Sequence, residues 1–174
     1  MAVIAEHTAK YPHPQSAVEF AGARPLETIR VINIATGDDD GSKWLIAEVP
    51  DQAVLKSITL EGAAITGGTS YSVGLHDADG NSILPNAFLN AADFSSTAGL
   101  PTGPLGSPIR QCMPVVTPAN ANKKVFELAG HVNKALPAAG EVSRKSKYRI
   151  VLTGNTAGTG AGTLVARVEY LMAV

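Results

Sequence analysis

Cysteine is nearly absent from this chain: Cys112 stands alone among 174 residues. A single thiol forms no internal disulfide, so the fold cannot rest on that staple. Its flanks carry no catalytic-cysteine signature, and a buried structural thiol is expected. Charge is also scarce. Asp, Glu, Lys and Arg make up 17% of the residues, against about a quarter in ordinary globular proteins. The formal net charge of −1 leaves no basic surplus for a phosphate backbone, so nucleic acid is not an expected partner. No apolar run approaches the length of about 18 residues that a membrane span needs, and no membrane association is expected. Residues Met1–His7 lack the charged start and apolar core of a secretion signal, so synthesis and assembly in the cytosol of the producer are expected. Long amphipathic helices and fixed-period repeats are missing too.

What is present is a moderate apolar share, 45%, in a chain long enough to bury about 70% of its unfolded surface. The low charge leaves a surface of Ser, Thr, Ala, Gly and Asn, suited to packing against other protein. Apolar residues recur with period two, the mark of strands with one buried face. Strand-like runs cover Thr28–Ile34, Val54–Leu60, Tyr71–Leu75, Ser82–Leu84 and Lys124–Leu128, and Lys43–Val49 is apolar on both faces, as expected of an inner strand or one covered by a partner. Two more, Tyr148–Thr153 and Thr163–Tyr170, flank the Gly-rich stretch 154–162 and read as an antiparallel hairpin. About eight strands at short spacing predict an all-β fold, an antiparallel β-sandwich of jelly-roll-like type. Residues 26–174 are expected to form this single domain.

Two segments depart from the pattern. Residues 1–25 show no sustained period, and Pro12 and Pro14 remove donors and favour extended backbone. An extended arm is expected there, with Tyr11, Pro12, His13 and Pro14 as contact residues for a neighbouring protein. Residues 85–122 hold six prolines, and within them Asn86–Phe94 is expected to form two helical turns. Ser95–Gln111 shows no periodicity and reads as an excursion that packs on another subunit, with Leu100, Pro101, Leu105 and Ile109 as its contact residues.

Candidate chemistry is thin. His76–Ser82 offers two carboxylates, an amide and an imidazole, but the twelfth position from Asp77 is Phe88, not the Glu of a calcium loop. A hairpin turn is the better reading. Asp38, Asp39 and Asp40 read as a wet turn with, at most, a weak divalent-ion site. The histidines His7, His13, His76 and His131 lack zinc-ligand spacing. There is no Gly-x-Ser-x-Gly elbow, and 154–162 lacks the Gly-Lys-Ser/Thr ending and the helix that a phosphate loop needs. No enzyme activity, metal or cofactor is expected. Trp44 and Tyr170 are the candidates for exposed aromatics, although core packing is the commoner fate.

Three stretches carry a family resemblance: Leu55–Ala63, Tyr71–Gly80 and Tyr148–Gly158. In style and spacing over 26–84 and 123–172 the chain resembles virion structural proteins of tailed bacteriophages, in particular capsid decoration (cement) proteins. The resemblance implies a non-enzymatic β-sandwich on the outside of a phage head. The implied partners are the major capsid protein and further copies of the chain in a homo-oligomer. The implied location is the virion, assembled in the host cytoplasm. A tail, collar or fibre-attachment protein, or a carbohydrate- or receptor-binding β-sandwich, remains the alternative.

Overall fold

A computed structural model describes residues 24–112, 123–133 and 138–172. The described residues are almost entirely β. The strands are β1 (Arg24–Ile34), β2 (Lys43–Pro50), β3 (Ala53–Gly62), β4 (Ser70–Asp77), β5 (Ser82–Ala92), β6 (Ile109–Cys112), β7 (Lys147–Thr156) and β8 (Gly162–Met172), with one helical turn, α1 (Val125–Leu128), between β6 and β7. They form two four-stranded sheets. Sheet A has the order β1-β8-β3-β6 and sheet B the order β2-β7-β4-β5. Every pairing between these strands is antiparallel. The pairs β1·β8, β2·β7, β3·β6 and β4·β5 are nested, as in one long hairpin rolled up on itself.

Alternation builds the core between the sheets. Ile32 and Ile34 of β1, Ile58 and Leu60 of β3 and Leu164, Ala166 and Val168 of β8 face Trp44 and Ile46 of β2, Tyr71, Val73 and Leu75 of β4 and Tyr148, Ile150 and Leu152 of β7, all buried. Alternate residues of each strand enter this dry layer, with the parity switching at the bulges of β2, from Ile46 to Ala47 and Val49, and of β3, from Leu55 to Ile58. Tyr71 lies among the aromatics, 4.7 Å from the Phe94 ring. Its hydroxyl donates to the Ala157 carbonyl at 2.7 Å, so the buried oxygen keeps a partner. Cys112 is buried and its thiol is pushed up to about 12 by desolvation.

The two mouths of the sandwich are each stopped by an arginine. On the β1/β2 side, Arg30 Nη1 donates to the Leu45 carbonyl at 3.0 Å. On the β5/β6 side, Arg110 Nη2 donates to the Ser96 carbonyl at 2.7 Å, and its guanidinium lies 4.2 Å from the centre of the Phe94 ring.

Several expectations need correction. β7 and β8 are not a hairpin, because they lie in different sheets. Their Gly-rich connection crosses the end of the sandwich and packs on 66–68, where the Thr159 and Gly160 amides both donate to the Thr66 carbonyl. The expected short strand at Ser82–Leu84 runs on to Ala92, so the helical turns expected at Asn86–Phe94 are strand up to Ala92 and irregular chain at Asp93 and Phe94. Pro85 is tolerated because β5 is an edge strand interrupted by three register shifts. Lys124–Leu128 is a helical turn and not a strand. Its entry is closed by the Glu127 carboxylate, which accepts the Lys124 amide at 2.8 Å. Of the arm expected at 1–25, residues 1–23 lie outside the described residues, and Arg24 and Pro25 already belong to β1. The expected excursion 85–122 contains β5 and β6 in place of irregular chain over those spans.

Candidate protein-contact face

The outward side of sheet A carries the clearest site. Because Leu60 and Ala166 point inward, their neighbours Glu61 and Val165 point outward. The register then places Val31, Val165, Glu61 and Ile109 in one row across the four strands. A hairpin formed by 101–109 folds back over this row. Its base is tied by Ile109 N–H to the Pro101 carbonyl and Gly62 N–H to the Pro108 carbonyl, both at 2.9 Å, and its tip by Gly103 N–H to the Ser107 carbonyl at 2.7 Å.

Glu61 organises the tip. The side chain is on the outer face of its strand, where solvent is the default, yet the residue is only 6% exposed. One carboxylate oxygen accepts the Leu105 amide at 2.7 Å and the Ser107 amide at 3.2 Å. A buried carboxylate requires such donors, since burying it unpaired would cost several kcal/mol or roughly more. Gly103 is required for the closeness of the approach: a Cβ there would fall 2.5 Å from the Glu61 carboxyl carbon. The result is a hydrogen-bonded turn that holds Leu105 outward, 59% exposed. A turn tied down in this way has little conformational freedom left to lose if its tip meets a partner.

The segment leading into the hairpin is also fixed. Phe94 is fully buried, its amide donates to the Gly68 carbonyl and its carbonyl accepts from Ile65, both at 2.8 Å. Arg110 then clamps Ser96 above it.

Of the contact residues expected from sequence, the structure gathers Leu100, Pro101, Leu105 and Ile109 in this hairpin and its approach. Pro101 and Leu105 are exposed, and Leu100 and Ile109 are half-buried. Tyr11, Pro12, His13 and Pro14 lie outside the described residues. Val31 and Val165 complete the face and were missed, since a strand's outward residues cannot be assigned to a shared row before its partners are known. Glu61 was missed because it sits at an ordinary outward position.

The other candidates are occupied by structural work. Asp77 Oδ1 accepts the amides of Asp79 and Asn81 at 2.9 and 2.8 Å, and Oδ2 accepts the Asn81 side chain. Asp38 accepts the Ala35 amide and Asp40 the Ala157 amide. Trp44 is buried against Tyr71, while Tyr170 is half-buried on the rim of the core.

Comparison with known proteins gives a fold likeness only. No family model and no curated protein matches the chain. Among solved structures, a chain in the capsid of Ralstonia phage GP4 is similar at a TM-score of 0.53 with 11% identity, over 95% of this chain and 92% of that one. A chain of the capsid asymmetric unit of cyanophage Pam1 gives 0.46 with 14% identity, over 99% of both chains. One from the acid-stable capsid of Helicobacter pylori bacteriophage KHP30 gives 0.45 with 13% identity, over 87% and 94%. The Ralstonia phage match shares the fold of this β-sandwich along nearly its whole length.

Proposed function

We propose that this chain is a non-enzymatic structural protein of a phage virion, and that it decorates the outside of the head as a cement protein. It would act as a jelly roll, for which the nested pairing of eight strands in two sheets is the topological warrant. The major capsid protein is its partner, and the face of sheet A with the Leu105 hairpin is the surface that meets it. The observation that carries this reading is Glu61: a carboxylate buried to hold a loop tip outward makes sense if the tip has something to grip. The fold likeness to a Ralstonia phage capsid chain supports it. So does the low charge, because desolvating a neutral face on binding costs less than desolvating ions. Each contact can be modest, since many copies clamp one shell and their effects combine.

The test mixes the purified chain with undecorated heads and measures copies bound per particle. Saturation at hundreds of copies, lost on Leu105→Asp, is the expected result. Binding at a dozen copies or fewer would move the protein to the tail. No binding to heads or tails would end the reading.

A further inference from the structure

Sheets expose their edges, and soluble proteins blunt them against unwanted pairing. Three of the four edges here are blunted. β2 carries a bulge between Leu45 and Ala47, ends in Pro50, and has the Leu45 carbonyl covered by Arg30. β5 carries three register shifts and Pro85. β6 is four residues long. β1 is different. Its ladder with β8 runs from Arg24 to Ile34 without a shift, and among the described residues no strand pairs with its other edge. Two of its charged side chains are engaged within the fold: Glu27 pairs with Arg167 at 3.1 Å and Arg30 turns in to Leu45. From 28 to 33 the outward residues are Ile29, Val31 and Asn33. None is charged, and Val31 is 42% exposed.

We infer that the open edge of β1 takes β1 of a second copy of this chain, antiparallel about a two-fold axis near Arg30, joining the two A sheets into one. The strand is complementary to its own reverse except at the axis, where Arg30 meets Arg30 on the inward face, each guanidinium drawn in to the Leu45 carbonyl of its own chain. In that pairing Ile29 lies opposite Val31 of the other copy, and the reverse, while Glu27 faces Asn33, so no like charges oppose on the outward face. Thr28 lies opposite Ile32 on the inward face. A two-fold contact of this kind closes on itself: it uses up the open β1 edge of both copies and leaves the blunted β6 strands at the ends of the joined sheet. One strand pair is a small interface, so the free dimer is weak, in the micromolar range. Many copies held on a common surface would populate it more fully.

Sedimentation velocity of the full chain across the micromolar range, with hydrogen exchange at low and high concentration, tests this. The expected result is a monomer–dimer equilibrium in which amides of 28–33 gain protection as concentration rises. Val31→Lys should weaken the dimer at least about tenfold, Val31→Thr should keep it, and Leu105→Asp should leave it unchanged. A monomer at every concentration overturns the inference. So does a dimer indifferent to Val31→Lys. Protection of 28–33 independent of concentration also overturns it, because residues 1–23 of the same chain would then hold the edge. Leu105→Asp separates this inference from the proposed function: a chain that loses head binding yet dimerises as before supports the inference, and one that loses both overturns it.

Discussion

Replacing Glu61 by alanine should loosen the 101–109 hairpin while leaving the sandwich folded. The carboxylate accepts two amides, from Leu105 at 2.7 Å and from Ser107 at 3.2 Å. Hydrogen bonds to a charged group contribute about 1.5–3 kcal/mol each, and the longer one falls at the weak end. Water reaches the two amides once the tip opens, which recovers part of the loss. A net figure of about 2 kcal/mol for hairpin opening follows, or roughly a 30-fold shift in the opening equilibrium. Hydrogen exchange read at single residues is the assay. The Leu105 and Ser107 amides should exchange roughly 30-fold faster, while the Ile109 and Gly62 amides at the hairpin base keep most of their protection. Glu61→Gln retains one carbonyl acceptor and should show a smaller effect, near 5-fold, about 1 kcal/mol. The melting temperature should move little in both, since the loss is local. Unchanged exchange at Leu105 and Ser107 in Glu61→Ala would refute the claim that this carboxylate sets the tip.

Gly74 should not tolerate a side chain. A Cβ there would meet the backbone oxygens of Pro85 and Leu84, the latter at 2.6 Å. Gly74→Ala should cost about 2–3 kcal/mol and lower the melting temperature by roughly 5–10 °C in a scan. An unchanged melt would mean that β5 does not lie over β4 as described. Tyr71→Phe leaves the Ala157 carbonyl without its donor. It should cost about 1–2 kcal/mol in denaturant titration, with an unaltered midpoint as the contrary result. His76 is buried, and that burial is the main reason its pKa lies below the ordinary value of 6.5. Nearby Lys43 lowers it further, and the Gly80 carbonyl and Asp77 oppose the shift in part. The neutral ring is favoured in the fold, so the unfolded chain takes up protons first as pH falls. Stability should therefore be full above about pH 7 and decline from near 6.5 downward. His131, also lowered chiefly by burial, adds to the slope. His76→Gln should flatten part of this decline, and an identical pH profile would remove His76 from the account.

Strand identity was legible in the sequence and strand partnership was not. Period two is a local property, and it marked β1, β3, β4, β7 and β8 correctly; β2, apolar on both faces and expected inside a sheet or under a partner, is a strand but lies at the edge of sheet B. Nothing local distinguishes a turn that returns a strand beside its predecessor from one that carries it to the opposite sheet. The connection 157–161 does the latter, and the reason lies in Thr66, Gly67 and Gly68, far away in sequence. There Gly158 approaches so closely that a Cβ would strike the Gly67 and Gly68 backbone. Pro85 and the Ala/Asn-rich stretch after it argued against a strand, yet edge strands with bulges accept both. Val125–Leu128 has strand-forming residues, and tertiary placement overrode that preference. The Phe126 amide donates to the Asp51 carbonyl, and Arg144 reaches both the Phe126 ring and the Asp51 carboxylate. Pro101, Leu105 and Ile109 share one hairpin, with Leu100 just before it, because a Pro/Gly segment between two strands of a sandwich has to lie outside the layers.

The scarcity of charge in the chain takes on meaning once the charges are located. Several of its few ionic groups sit where solvent does not claim them. Arg30 and Arg110 plug the two mouths between the sheets, and Glu61 sits beneath the hairpin. Arg144 and Asp51 join the α1 region to the end of β2 at 3.1 Å. A protein that depended on charge for solubility would leave such groups in water. Here they hold strand ends and loops in place, and Val31, Val165 and Leu105 form an uncharged, partly apolar part of the surface left over. This arrangement predicts low colloidal stability for the isolated chain and good stability once that surface is covered. Adding lysines at outward positions away from sheet A, such as Asn155→Lys, should raise solubility without changing head binding. Lysine at Val31 or Leu105 should raise solubility too, but at the expense of an interface. If all three substitutions affected binding alike, the sheet A face would have no special part in assembly.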